Sequence, residues 1–143
     1  MEYSLIIIPI IVVFATQILK LSIDGIKGNF NLKNIFLVYG GMPSAHAALV
    51  TSLTTMVALV TGFKSVTFAI ALIFSFIIIR DAFTIRKYLG DQGKIVNELA
   101  KKLSKPDQKK YPSLPTQVGH TVLEVLMGII WGFALTIVLY WIF

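Results

Sequence analysis

The run Pro43-Ser44-Ala45-His46-Ala47-Ala48-Leu49-Val50-Thr51-Ser52-Leu53-Thr54-Thr55-Met56-Val57-Ala58-Leu59-Val60-Thr61-Gly62-Phe63 contains no Asp, Glu, Lys or Arg. A helix needs about 20 predominantly apolar residues to cross a bilayer core, and this run is long enough. Three more apolar runs flank it. The first extends from Tyr3 to Leu19. The third lies between Lys64 and Arg80. The fourth starts near Val118, holds one carboxylate at Glu124, and continues to Phe143. The third is short, with 15 residues between its flanking charges, but Lys and Arg stems can reach outward to the two interfaces. A re-entrant third segment is the alternative. Tyr140 and Trp141 suit an aromatic anchor at a membrane surface.

Composition agrees with this reading. Hydrophobic residues make up 56% of the 143-residue chain, charged residues only 14%, and mean hydropathy is +0.80. A soluble domain of this size carries about 25% charged residues. The expected architecture is therefore all-α: one transmembrane domain over residues 1–143, with about four spanning helices. Cysteine is absent, which removes thiolate and disulfide chemistry. Met1-Glu2-Tyr3 offers no basic leader, and no small-x-small cleavage site precedes Lys20, so the first run is expected to remain a helix. The net charge of +6 falls between apolar runs, which points to anionic lipid head groups and away from nucleic acid.

The connections are unequal. The second and third runs are joined by a tight turn at Gly62-Phe63-Lys64. The first connection, Lys20 to Met42, is glycine-rich and reads as loop with one short helical piece. The third, Arg80 to Gln117, is long. Its first half carries Ile85, Leu89, Val96, Leu99 and Leu103, a helical stripe suited to the membrane surface. Its second half, from Ser104-Lys105-Pro106 to Pro115, is polar and proline-broken. The two long connections hold twelve of the thirteen basic residues, Lys64 being the exception. The positive-inside rule assigns them to the cytoplasm.

Polar residues collect at that same side. Lys20 ends the first helix, Ser44 and His46 open the second, Arg80, Asp81 and Arg86 follow the third, and His120 and Glu124 open the fourth. In Gly40-Gly41-Met42-Pro43-Ser44-Ala45-His46, Pro43 suits a first helical position. The exposed N–H groups of Ser44, Ala45 and His46 suit a phosphate. His120 and Glu124, four apart, are expected to share a helical face, with the carboxylate fixing the imidazole tautomer. Each of these residues has a plain structural reading as cap, interfacial residue or anchor. Their convergence favours a site.

At these residues the chain resembles the superfamily of type 2 phosphatidic acid phosphatases and vanadium haloperoxidases, and within it a small divergent branch. Pro43-Ser44-Ala45-His46 is similar to its Pro-Ser-x-His motif. His120 through Glu124 is similar to its His-x-x-x-Asp motif, with Glu for Asp. Gln17-Ile18-Leu19-Lys20, Asp81-Ala82 with Arg86, Gly90-Asp91-Gln92 and Asn97 complete the branch pattern. The resemblance implies hydrolysis of a phosphomonoester with neither metal nor cofactor. His120 is then the nucleophile, Glu124 its orienting carboxylate and His46 the acid for the leaving group. Ser44, Lys20, Arg86 and Arg80 become the phosphate ligands, supported by Asp81, Gly41, Gln92 and Asn97. Two arginines of the main branch are absent: their places hold Lys27-Gly28 and Leu114, and Arg86, with Arg80, is expected to substitute.

The expected substrate is a lipid phosphate such as phosphatidylglycerophosphate or phosphatidic acid. The expected location is the bacterial plasma membrane, with the site at the cytoplasmic face. Association with a second copy is compatible with a small bundle whose helix ends are polar. Two rival readings use the same residues. One is a non-catalytic membrane protein that binds anionic lipid or phosphate. The other is a magnesium-dependent enzyme or transporter built on Asp81, Asp91, Glu98 and the histidines.

Overall fold

The computed structural model describes residues 3–24, 41–103, 111–116 and 119–143. Of the loop expected from Lys20 to Met42, residues 25–40 lie outside them, with Lys27 and Lys33, as do the basic residues Lys105, Lys109 and Lys110.

The four apolar runs become four helices, and each is set by a local device. Helix α1 spans Ser4–Asp24 and carries Pro9 in its interior. It runs past Leu19, so Lys20 stands inside the helix, 6% exposed. Helix α2 spans Ala45–Thr61. Its N-cap is Ser44, whose side chain accepts from the Ala47 N–H at 3.5 Å. Pro43 therefore precedes the cap instead of occupying the first helical position. Gly62 stops α2 at φ +82°, where a side chain would be strained, and its N–H donates to Ala58 O at 2.9 Å. Ser65 caps the next helix, accepting from the Phe68 N–H at 3.0 Å. The tight turn expected at Gly62-Phe63-Lys64 is present.

Helix α3 spans Val66–Phe83 and helix α4 Ile85–Lys101. The helical segment of the third run thus continues through Arg80 and Asp81, which relieves the shortness of its apolar part. Thr84 alone separates α3 from α4, and its hydroxyl donates to Arg80 O at 2.6 Å. Helix α5 spans Val122–Ile142. By length and composition α1, α5 and the α3 segment continued by α4 can cross a membrane. Helix α2, with 17 residues, sits at the lower limit of about 17. Among the described residues there is no strand. The chain is an all-α integral membrane bundle.

Helix α2 is the hub. It packs against α1, α3 and α5, while α1 also meets α5. Ile8, Val12, Ala48 and Met56 form one buried cluster, backed by Trp131 and Leu135. Ala47, Ala82 and Val125 form another beneath the polar helix ends. Large apolar side chains elsewhere, such as Ile70, Ile73 and Ile77 on α3, are exposed, as a lipid-facing surface requires.

Apolar burial drives little association between helices in lipid, so close backbone approach and interhelical hydrogen bonds must hold the bundle. A ladder of small residues serves this between α2 and α5. A Cβ placed on Gly128 would lie 2.5 Å from Ser44 O. One on Gly132 would lie 2.5 Å from Ala48 O and 2.7 Å from its Cα. One turn further, buried Thr136 donates to Ser52 Oγ at 2.6 Å. Between α2 and α3, Ser75 donates to Val50 O at 3.0 Å and lies 2.5 Å from Thr54 Oγ1. Gly132→Ala is expected to push α5 off α2 and destabilise the bundle by about 1–3 kcal/mol. Thermal unfolding in detergent should move down by several degrees; an unchanged transition would mean that the ladder is not tightly packed.

Candidate functional site

Thr121 starts the site. It is the N-cap of α5, and its hydroxyl accepts from the Glu124 N–H at 3.3 Å. The Glu124 carboxylate reaches back to the Thr121 N–H at 2.9 Å, closing a capping box. The same oxygen, Oε2, lies 3.1 Å from His120 Nδ1. The His120–Glu124 pair expected from spacing is present, but its origin differs. His120 precedes the helix, so the cap geometry joins the two residues and not a shared helical face. A carboxylate can only accept here, so Nδ1 carries the proton and Nε2 keeps its lone pair. The backbone is tied from both sides: the His120 N–H donates to Ala82 O at 3.1 Å, and the Ser44 N–H to Glu124 O at 3.0 Å.

That last bond corrects an expectation. The Ser44 N–H is not open to an anion, and the Ser44 hydroxyl is fully buried as the cap of α2. Ser44 fixes the start of α2 against the start of α5. The N–H groups of Ala45 and His46 remain without a partner among the described residues.

His46 and His120 come together, with ring centroids 6.3 Å apart and planes tilted by 55°. Arg86, at the start of α4, joins them. Its Nε donates to Asp81 Oδ2 at 2.9 Å, and its Nη1 lies 3.5 Å from His46 Nε2. Asp81 thus holds Arg86 across the α3–α4 junction. Lys20, from the buried side of α1, acts electrostatically on both imidazoles, as does Arg86. Arg80 differs: it is exposed and touches neither histidine among the described residues.

Burial pushes the His120 imidazole below its usual range. The hydrogen bond and charge of Glu124 oppose that shift, and Lys20 and Arg86 add to it. Above its lowered value the ring is neutral, the form that offers a lone pair.

His120 and Glu124 face a cleft of about 540 Å³. Gly41, at φ +85°, Thr116 and Gly119 line it, with Phe83 and Val122 at its apolar edge. Lys87, Asp91 and Lys94 form a wall from α4. Lys87 and Lys94 are not among the site residues expected from the sequence, and Asp91 enters there only through the branch pattern and the magnesium reading, although spacing by four and then three puts all three on one helical face. Gly119 lets the wall approach: a Cβ there would lie 2.8 Å from the Lys87 backbone. Gly93 does the same for the returning segment, at 2.7 Å from Pro115 O. Asn97 clips that segment with paired 2.9 Å bonds to the N–H and C=O of Leu114. Asn97 therefore braces the segment that carries Leu114. Gln92 is exposed and does not line the cleft.

The fold and the site define an integral membrane protein whose helix ends gather two histidines, a carboxylate and several cations. The chain belongs to the Divergent PAP2 family, whose profile matches residues 1–135. It is 36% identical, over 143 aligned positions, to the uncharacterized membrane protein YuiD of Bacillus subtilis strain 168; the match covers 92% of this chain and 90% of that protein. No solved structure matches it.

Proposed function

We propose that the protein is a lipid-phosphate phosphatase that hydrolyses a phosphomonoester through a phosphohistidine on His120. The observation that carries this reading is the pairing of His120 Nδ1 with Glu124 at 3.1 Å, with the His46 ring 6.3 Å away. A site for anion binding alone has no need of a carboxylate beside its histidine. In the first step His120 Nε2 attacks phosphorus and the ester P–O bond breaks, while His46 gives a proton to the leaving alkoxide. In the second, His46 takes a proton from water, the hydroxide attacks phosphorus, the P–N bond breaks, and phosphate leaves. Lys20, Arg86 and the open N–H groups at the start of α2 face the charge that grows on the phosphoryl oxygens.

The cleft suits an amphiphile, because charged Lys87, Asp91 and Lys94 line it together with apolar Phe83 and Val122. The charge asymmetry of the sequence supports an opening at the cytoplasmic face. The magnesium reading needs gathered carboxylates. Asp81 is committed to Arg86 and Asp91 to Lys94, and among the described residues no three His, Asp or Glu side chains meet closely enough to hold a metal ion.

The test is phosphate release from phosphatidic acid and phosphatidylglycerophosphate by protein in sealed vesicles of both orientations. Release is expected only when the face bearing the Arg80–Gln117 connection meets the substrate. No release from either lipid in either orientation would overturn the enzyme reading in favour of the anion-binding one, and release from the opposite face would overturn the topology. Arg86→Lys is expected to lower kcat/KM about 10–100-fold, since lysine cannot hold Asp81, His46 and a phosphoryl oxygen with one planar fork. Full activity in that variant would remove Arg86 from the site.

A further inference from the structure

The α4 wall has a use beyond the transferred phosphoryl group. Lys20 and Arg86 are the cations whose charge reaches both imidazoles. Lys87 and Lys94 line the cleft that His120 and Glu124 face. Lys94 is bound to Asp91 at 2.9 Å, so those two charges largely cancel. Lys87 makes no ion pair among the described residues, is exposed, and has its backbone pressed against Gly119, the residue before His120. Asp91 also feels the charge of Lys87, so the wall carries two lysines to one carboxylate, a net positive charge on the cleft that His120 faces.

We propose that Lys87 forms a subsite for a second anion of the substrate, so that the protein favours lipids whose head group carries a phosphodiester beside the phosphomonoester over lipids with a single phosphate. The inference rests on the phosphatase reading and names its substrate class. A phosphomonoester anchored at His120 leaves its alcohol portion to run along the cleft. A negative group on that portion meets Lys87, with Lys94 turning between Asp91 and the ligand. A lipid with one phosphate attached directly to its diacylglycerol offers nothing to this wall.

The experiment compares kcat/KM for phosphatidylglycerophosphate and phosphatidic acid in the same mixed micelles, using the full-length chain, Lys87→Gln and Lys87→Arg. The wild-type protein is expected to prefer the two-phosphate lipid. Lys87→Gln should lower the ratio of the two values about tenfold, and Lys87→Arg should retain it. Raising the salt concentration should erode the ratio, as it does for exposed charge pairs. A wild-type ratio near one, or a ratio unmoved in Lys87→Gln, overturns the subsite while leaving the phosphatase reading in place. If neither lipid is hydrolysed the phosphatase reading fails, and competition between the two lipids for binding decides the subsite. Tighter binding of the two-phosphate lipid that is lost in Lys87→Gln supports it, and equal binding overturns it.

Discussion

His120→Ala is expected to reduce phosphate release by at least about 10³-fold, the scale seen when a covalent catalytic group is removed. The expectation follows from how the other candidate groups around His120 are already committed. Ser44 is buried as a helix cap, and Glu124 gives one oxygen to both the Thr121 N–H and the His120 ring. His46 has its Nε2 against Arg86 at 3.5 Å. The His120 side chain is itself largely enclosed, 7% exposed, and alanine leaves a polar hollow without disturbing the cap made by Thr121 and Glu124. The variant should therefore fold, bind lipid and fail in chemistry. Turnover within tenfold of wild type would remove His120 from the reaction.

Glu124→Gln is expected to lower kcat by about 10²–10⁴-fold with little loss of stability. Glutamine keeps an oxygen that can accept from the Thr121 N–H, so the cap of α5 survives. What disappears is the negative charge beside Nδ1, which fixes the tautomer and supports the imidazolium-like charge that His120 acquires when phosphorylated. Measuring kcat beside the thermal transition separates the two roles. A fall in stability that accounts for the fall in activity would make Glu124 a capping residue only, and an unaltered kcat would dismiss the orienting role.

The apolar runs made the helices legible, because length and absence of charge are properties of each run alone. The convergence of Lys20, His46, Arg86, His120 and Glu124 was legible too, since alternating spans return all these helix ends to one side. Partner choice within the cluster was not. Asp81 and Arg86 are five apart and meet only because the helix is interrupted at Thr84, where neither proline nor glycine marks a break. Ser44 read as a donor to phosphate because its burial depends on Gly128, a residue far along the chain whose missing side chain lets α5 close over it. The His120–Glu124 pair was anticipated from helical spacing and is made by a capping box, so the spacing was informative for a different physical reason. The basic wall of Lys87 and Lys94 was visible as charge, but its position over the cleft depends on Gly119 and on the clip between Asn97 and Leu114.

The proposed reaction turns on the covalent step on His120. It is tested most directly by mixing the purified protein with a ³²P-labelled lipid phosphomonoester and quenching within a turnover. The quenched protein is then examined for label that survives alkali and is lost in acid, as a phosphohistidine is, and the labelled residue is mapped. Label is expected on His120, accumulating in His46→Ala as the second step slows, and absent in His120→Ala. Label on a serine or a carboxylate, or phosphate release with no labelled protein under conditions that trap an intermediate, would contradict it.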